Sequence, residues 1–419
     1  MNVLIQPRKL KGHVDIISSK SLSHRYVIAA GLSHDVSTIW NVLDSVDLKA
    51  TKDALSHLGV TFDGHQIQGH GFNYDGQPVF CHESGSTLRF LIPIFMLQDQ
   101  KVVFTGHGRL PERPLNVYES LFKKDYLFAK QSELELPLMV QGPLKGGTFE
   151  VRGDVSSQFI SGLLFALPLA LEDSKIILTT PLTSKDYVEM TLDVLNKYGI
   201  QIIEKENMFI IKGRQRYQGI NQRVEGDYSQ AAFWMVAGLC GEGIDIKGLS
   251  QASKQGDQQI VEIIQKMKGK ITFDELTETY HVYPSKTYAT TIDLEHVPDL
   301  GPILMVLAAR SIGTTHFKGI SRLRIKESDR MEAMRQALTR LGVLVEVKDD
   351  EAWITGVKSF KGGITLDGFS DHRIVMALAV ASQLADQPIS ISTAEAISKS
   401  YPTFFDVFQA LGGVIDEYK

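Results

Sequence analysis

Apolar positions along this chain fall into two kinds of helical pattern, separated by short β-rich runs. The first kind is amphipathic and stops at or just before a glycine, as in "ATKDALSHLGVTF", "VEMTLDVLNKYGIQII", "IVEIIQKMKGKITF", "RMEAMRQALTRLGVLVEV" and "FFDVFQALGGVIDE". Gly59, Gly199, Gly269, Gly342 and Gly412 suit a left-handed cap that turns each helix into a strand. A sixth copy, "LNVYESLFKKDYLFAK", carries charge where the glycine should be. The spacing is about 70 residues, longer than the usual solenoid repeats. It predicts a compact α/β unit repeated six times.

The second kind of helix is apolar nearly all round: "SKSLSHRYVIAAGL", "SGSTLRFLIPIFML", "SSQFISGLLFALPLAL", "DYSQAAFWMVAGLC", "DLGPILMVLAAR" and "DHRIVMALAVASQL". Such bodies belong in a core. Their first turns are polar, so those ends need caps, water or a ligand. A single polar end is explained by capping alone. Six such ends, several beside a cation, suggest more, because helix N-termini present free N–H groups and partial positive charge to anions. Converging ends would form an anion site. The repeat count implies two lobes of three units, divided near "RVEGDYSQ" (223–230), where no low-complexity linker occurs.

Composition narrows the class. The 419 residues are 43% hydrophobic and 22% charged, as in an ordinary globular protein. A net charge of −5 argues against a general nucleic-acid binder but allows a local basic pocket. Cys81 and Cys240 cannot build a disulfide framework or a four-ligand zinc cage, so a reducing cytoplasm fits best. The start, "MNVLIQPRKLKGHVDI", lacks the apolar core of a signal peptide. Runs such as "GLLFALPLALED" fall short of the roughly 20 apolar residues needed to span a bilayer.

Several motifs place cations at these helix starts. "SSKSLSHRYVIAAG" sets Lys20, Ser21 and Arg25 against an apolar body. They read as a phosphate and carboxylate grip or, more plainly, as snorkelling cations on a capped helix. "ESGSTLRF" puts Gly85 and Ser86 before Arg89, and "GRLPERPL" adds Arg109 and Arg113. In "SSQF", Ser156, Ser157 and Gln158 could cap or bind. "RLRIKESDRMEAM" places Lys326 and Arg330 four apart, so the two can share a helix face, with Asp329 and Glu332 left solvated or structural. "DHR" at 371–373 and "SKSYPTFF" around Lys399 supply further cations.

Taken together, these motifs resemble the 5-enolpyruvylshikimate-3-phosphate synthase family, in the family's order and across nearly the whole chain from Lys20 to Lys399. The resemblance implies an α/β fold of two similar lobes, each of three βαβαββ units, closing over a central cleft. It places 14–224 in the N-terminal lobe, and 1–13 with 225–419 in a discontinuous C-terminal lobe. It implies transfer of the carboxyvinyl group of phosphoenolpyruvate to the 5-hydroxyl of shikimate 3-phosphate, with release of phosphate. That reaction leads to chorismate and the aromatic amino acids, and its family is the target of glyphosate. The implied setting is a cytoplasmic monomer acting on two small molecules, with no nucleic acid, membrane, metal or redox cofactor.

Residue by residue, the resemblance assigns Lys20, Ser21, Arg25, Ser156, Ser157, Gln158, Ser184, Asp299 and Lys326 to shikimate 3-phosphate. It assigns Lys20, Gly85, Arg89, Arg113, Gln158, Arg330, His372, Arg373 and Lys399 to phosphoenolpyruvate. Asp299, Glu327 and Lys20 match the groups that move protons, Asp299 at the hydroxyl and Glu327 with Lys20 at C3. The sequence departs from the family's "NxGTxxR" pattern, with Glu83 for the Asn and Ser86 for the Thr. A carboxylate there must turn away from phosphoenolpyruvate or pair with a cation. The alternatives are an enolpyruvyl transferase acting on UDP-N-acetylglucosamine, or a non-catalytic relative. The first family has Lys-Asn where this chain has Lys20-Ser21, and often a loop cysteine that "GRLPERPL" lacks. Retention of Asp299, Glu327 and Lys20 argues against the second.

Overall fold

The computed structural model describes residues 1–418. Two compact units are formed. One is Ser18–Val224; the other joins Met1–Ile17 to the chain from Glu225 onward. The first crossing therefore lies at Ile17–Ser18 rather than near residue 13. The strand Gly12–Asp15 pairs in parallel with Ile244–Lys247, and the Ile16 N–H then bonds the Lys247 carbonyl at 3.0 Å, which keeps residues 14–17 with the C-terminal unit. At the second crossing the Val224 N–H still bonds the Trp40 carbonyl, whereas the Gly226 N–H bonds that of Gly248, both at 2.9 Å.

Among the described residues each unit holds three four-stranded sheets built to one plan. Thr291–Asp293 pairs in parallel with Thr314–Lys318, and the antiparallel hairpin of Leu344–Lys348 and Glu351–Thr355 extends that pair. A parallel pair needs a crossover, here the buried helix Gly301–Arg310. The amphipathic helix Arg330–Arg340 then leads into the hairpin, completing a βαβαββ unit. Three sheets are completed out of chain order. Besides Gly12–Asp15, Asn221–Arg223 pairs with Ser37–Trp40. Asn2–Ile5 lies between Ile389–Ser392 and Ile415–Tyr418, antiparallel to both.

Local pattern explains the layers. Thr315 and Phe317 are buried while Thr314 and Lys318 are exposed, the period-two alternation of a sheet with one face on the core. In Arg330–Arg340 the buried positions are Arg330, Met331, Ala333, Met334, Ala337 and Leu338, one face of the helix. Every residue of the helices Tyr228–Cys240 and His372–Ala381 is buried. Gly59, Gly199, Gly342 and Gly412 have the expected positive φ. Gly269 does not; Lys268 takes that role with φ 66°. A Cβ at Gly269 would sit 2.6 Å from Ile264 Cγ2, so its small size matters there through close packing. No described helix is long and apolar enough to cross a membrane.

Candidate functional site

In the unit Ser18–Val224 three buried helices begin on a serine. Ser19, Ser84 and Ser156 accept from the N–H groups of Leu22, Thr87 and Gln158 and start Lys20–Gly31, Gly85–Phe95 and Ser157–Ala166. These caps satisfy single N–H groups and add no charge. The first turns then carry the predicted side chains. Lys20 Nζ lies 3.1 Å from Asp47 Oδ2. Arg89 Nη1 donates to Gln158 Oε1 at 2.8 Å, and Gln158 Nε2 to Ser86 Oγ at 3.0 Å. A Cβ at Gly85 would sit 2.5 Å from Arg113 Nη1, so only glycine lets that guanidinium lie against the helix start. Ser157 is buried, and Ser184 is a buried residue with φ 51° just ahead of Lys185–Lys197.

Two further arginines make contacts within the unit. Arg25 donates through Nε to Thr191 Oγ1 and through Nη1 and Nη2 to the Ser21 and Tyr187 carbonyls, each at 2.8 Å. It ties Lys20–Gly31 to Lys185–Lys197, and burial pushes its guanidinium down to about 10, opposed by Tyr187. Arg109 is exposed and pairs with Glu112 at 3.3 Å.

A buried hydroxyl chain links the helix starts. His24 Nδ1 is 2.8 Å from Thr51 Oγ1, which is 2.7 Å from Thr87 Oγ1. Burial, then Lys20 and Arg25, pushes the imidazole well below its ordinary value, so His24 is neutral at pH 7. Thr51 and Thr87 both reach the Asp47 carbonyl at 3.4 Å, so the partner of Lys20 is fixed to the Gly85 turn.

The C-terminal unit gathers its own set. Asp299 lies on the turn Pro298–Leu300 that precedes the buried helix Gly301–Arg310. Its carboxylate meets Arg330 Nη1 at 2.9 Å, Lys326 Nζ at 3.1 Å and Arg373 Nη2 at 3.3 Å. Arg330 is 1% exposed and also bonds Glu327 at 2.6 Å and Asp371 at 2.8 Å. Burial disfavours its charge, but Asp371, Glu327 and Asp299 outweigh burial and raise its pKa. Burial alone would raise the Asp299 carboxyl; Arg373, Lys326 and Arg330 overcome that and hold it well below the usual carboxylate range. Burial pushes Lys326 down to about 8, against Asp299 and with help from Arg322 and Arg330.

Lys326 and Arg330 do not share a helix face. The helix starts only at Arg330, capped by Asp329, which accepts from the Glu332 N–H at 3.0 Å. The two cations meet across Asp299 instead. Glu332 pairs with Arg335 on the surface side. His372 is buried beside Asp371, and Lys399 Nζ bonds the Ser370 carbonyl at 2.8 Å, just ahead of Asp371.

Sequence reasoning missed Asp47 and Asp371. Asp371 is wholly buried, accepts from the Arg373 N–H at 2.9 Å and from Ser328 Oγ at 2.9 Å, and braces Arg330. Its signal was the first letter of "DHR", an Asp at a helix start. Asp47 showed only as an acid in the first turn after the Ser45 cap.

A model of the family "EPSP synthase (3-phosphoshikimate 1-carboxyvinyltransferase)" matches residues 4–408. The chain belongs to the EPSP synthase family. A 3-phosphoshikimate 1-carboxyvinyltransferase of Clostridium kluyveri is 47% identical, over 99% of this chain and 98% of its own. One of Clostridium novyi is 43% identical, over 100% and 99%. Among solved structures, an EPSP synthase of Acinetobacter baumannii superposes with a TM-score of 0.82 at 24% identity, over 99% of this chain and 100% of that one. The enolpyruvyl transferase NikO of Streptomyces tendae does so with 0.77 at 14% identity, over 99% and 98%. At those identities the likeness establishes the fold, and the EPSP synthase fold is the one described above.

Proposed function

We propose that the chain transfers the carboxyvinyl group of phosphoenolpyruvate to the 5-hydroxyl of shikimate 3-phosphate and releases phosphate. The observation that carries this reading is the family match along 4–408, with 47% identity to a carboxyvinyltransferase over nearly the full length. The residue chemistry supports it. Both substrates are multiply charged anions, and each unit presents buried cations beside helix starts. Lys20, Ser21, Arg25, Ser156, Ser157, Gln158, Ser184, Asp299 and Lys326 are assigned to shikimate 3-phosphate. Lys20, Gly85, Arg89, Arg113, Gln158, Arg330, His372, Arg373 and Lys399 are assigned to phosphoenolpyruvate.

The hydroxyl oxygen bonds to C2 while C3 takes a proton, giving a tetrahedral intermediate. Loss of a C3 proton and of phosphate then restores the double bond. Asp299 is ionised and can accept the hydroxyl proton, while Lys326 beside it, near 8, can take or return a proton at neutral pH. Glu327, oriented by Arg330, serves C3 with Lys20. The arginines clamp the charge on the leaving phosphate. The proposed setting is a cytoplasmic monomer, in which the buried thiols Cys81 and Cys240 stay reduced.

The test is phosphate release from phosphoenolpyruvate with shikimate 3-phosphate or UDP-N-acetylglucosamine as acceptor. Release with the first alone supports the reading. Release with the second, or with neither, refutes it.

A further inference from the structure

The turn 81–85 and the segment 105–113 are interlocked by contacts that the proposed chemistry leaves unused. The Cys81 N–H bonds the Thr105 carbonyl at 2.8 Å, and the His107 N–H bonds the His82 carbonyl at 3.0 Å. The Glu83 carboxylate stands over Gly108. A Cβ at Gly108 would sit 2.4 Å from the Glu83 carboxyl carbon, and Gly108 has φ +61°. Glu83 Oε1 is 3.8 Å from His107 Nδ1. From there two tight turns carry the chain to Arg113: the Leu110 N–H bonds the His107 carbonyl at 3.2 Å, and the Arg113 N–H bonds that of Leu110 at 3.1 Å. Arg113 is itself buried, and among the described residues its Nε has no hydrogen-bond partner. The loop, and the space left by Gly85, therefore set where its guanidinium lies.

We propose that Glu83 is a positioning residue for Arg113. Seated over Gly108 and beside His107, it locks the loop to the helix start, so that the Arg113 guanidinium stays against Gly85. The same seat turns a negative group in the Gly85 turn towards a histidine instead of towards an anionic substrate. Two glycines thus make room for opposite charges, Gly108 for the carboxylate and Gly85 for the guanidinium. The inference deepens the reading that Arg113 holds phosphoenolpyruvate, and it rests on that reading.

The test is a cycle of wild type, Glu83→Ala, Gly108→Ala and the double variant, with steady-state constants for both substrates and a crystal structure of Glu83→Ala. Each single change should lower kcat/KM for phosphoenolpyruvate about tenfold or more, with KM for shikimate 3-phosphate within about twofold. The double variant should be no worse than the poorer single, because the alanine at 108 then meets no carboxylate. Glu83→Gln keeps the shape and should lose less than Glu83→Ala; it carries the test if Gly108→Ala fails to fold, as thermal melts will report. Additive losses, equal losses for both substrates, or wild-type constants in Glu83→Ala overturn the proposal. If wild type itself makes no product, the functional reading has failed, and the crystal structure still decides the positioning. Arg113 unmoved from Gly85 in Glu83→Ala overturns it; a displaced guanidinium supports it.

Discussion

The two units share one repeat plan but give their buried arginines different kinds of partner, although Lys20 in the first unit does face the Asp47 carboxylate. In Ser18–Val224 the helix starts are capped by the neutral side chains Ser19, Ser84 and Ser156, and Arg89 rests on the neutral Gln158. Around Arg330 the partners are carboxylates: Asp299, Glu327 and Asp371. Arginines left beside neutral acceptors keep their field for a ligand, which suits anion holding. Cations neutralised by carboxylates offer less net field, but the cluster shifts the pKa values of its own acid and base groups, Asp299 and Lys326 among them. The second arrangement suits proton transfer.

The largest effect should come from breaking that balance. Arg330→Met leaves three carboxylates without their shared cation. Losing one partner of a buried pair costs roughly 3–5 kcal/mol. Urea unfolding should show at least that loss, together with no detectable turnover; near-normal stability would mean that the carboxylates are not truly paired. Next, Asp299→Asn should lower kcat about 10²–10⁴-fold while shikimate 3-phosphate still binds by calorimetry. The same variant probes acid stability. Since the folded Asp299 is depressed, its contribution is present above about pH 4 and lost as pH falls through the lower folded value. Wild type should therefore lose more stability than Asp299→Asn between about pH 4 and 2.

A smaller effect should follow from Gly85→Ala, which tests the neutral side of the comparison. The new Cβ displaces Arg113, so kcat/KM for phosphoenolpyruvate should fall about 10–100-fold with little change in the melting temperature. The smallest should be Arg109→Ala, whose exposed pair with Glu112 is worth about 0–1 kcal/mol, and whose turnover should match wild type.

Much of this was legible in the sequence. The buried helices showed because an all-round apolar run with a polar first turn is a local signal, and the amphipathic helices because of their period. The strands that close sheets out of order carried no such signal. Val3 pairs with Ile391, and nothing near either residue names the other. The Arg330 cluster was half legible for the same reason. Its partners lie 3, 31 and 41 positions away, so only Glu327 is a sequence neighbour. At the helix Gln259–Lys266 the left-handed position falls on Lys268, because the helix ends one residue earlier than the glycine suggests, and Gly269 is instead packed against Ile264.

The strand Asn2–Ile5 is made long before Ile415–Tyr418, one of the two strands it lies between, and cannot be seated until that strand exists. At about 5–20 residues per second, translation holds it waiting for roughly 20–80 s. The Ser18–Val224 stretch, whose sheets all close within itself, can fold on the ribosome meanwhile, whereas the sheet that holds Asn2–Ile5 must wait for Ile415–Tyr418.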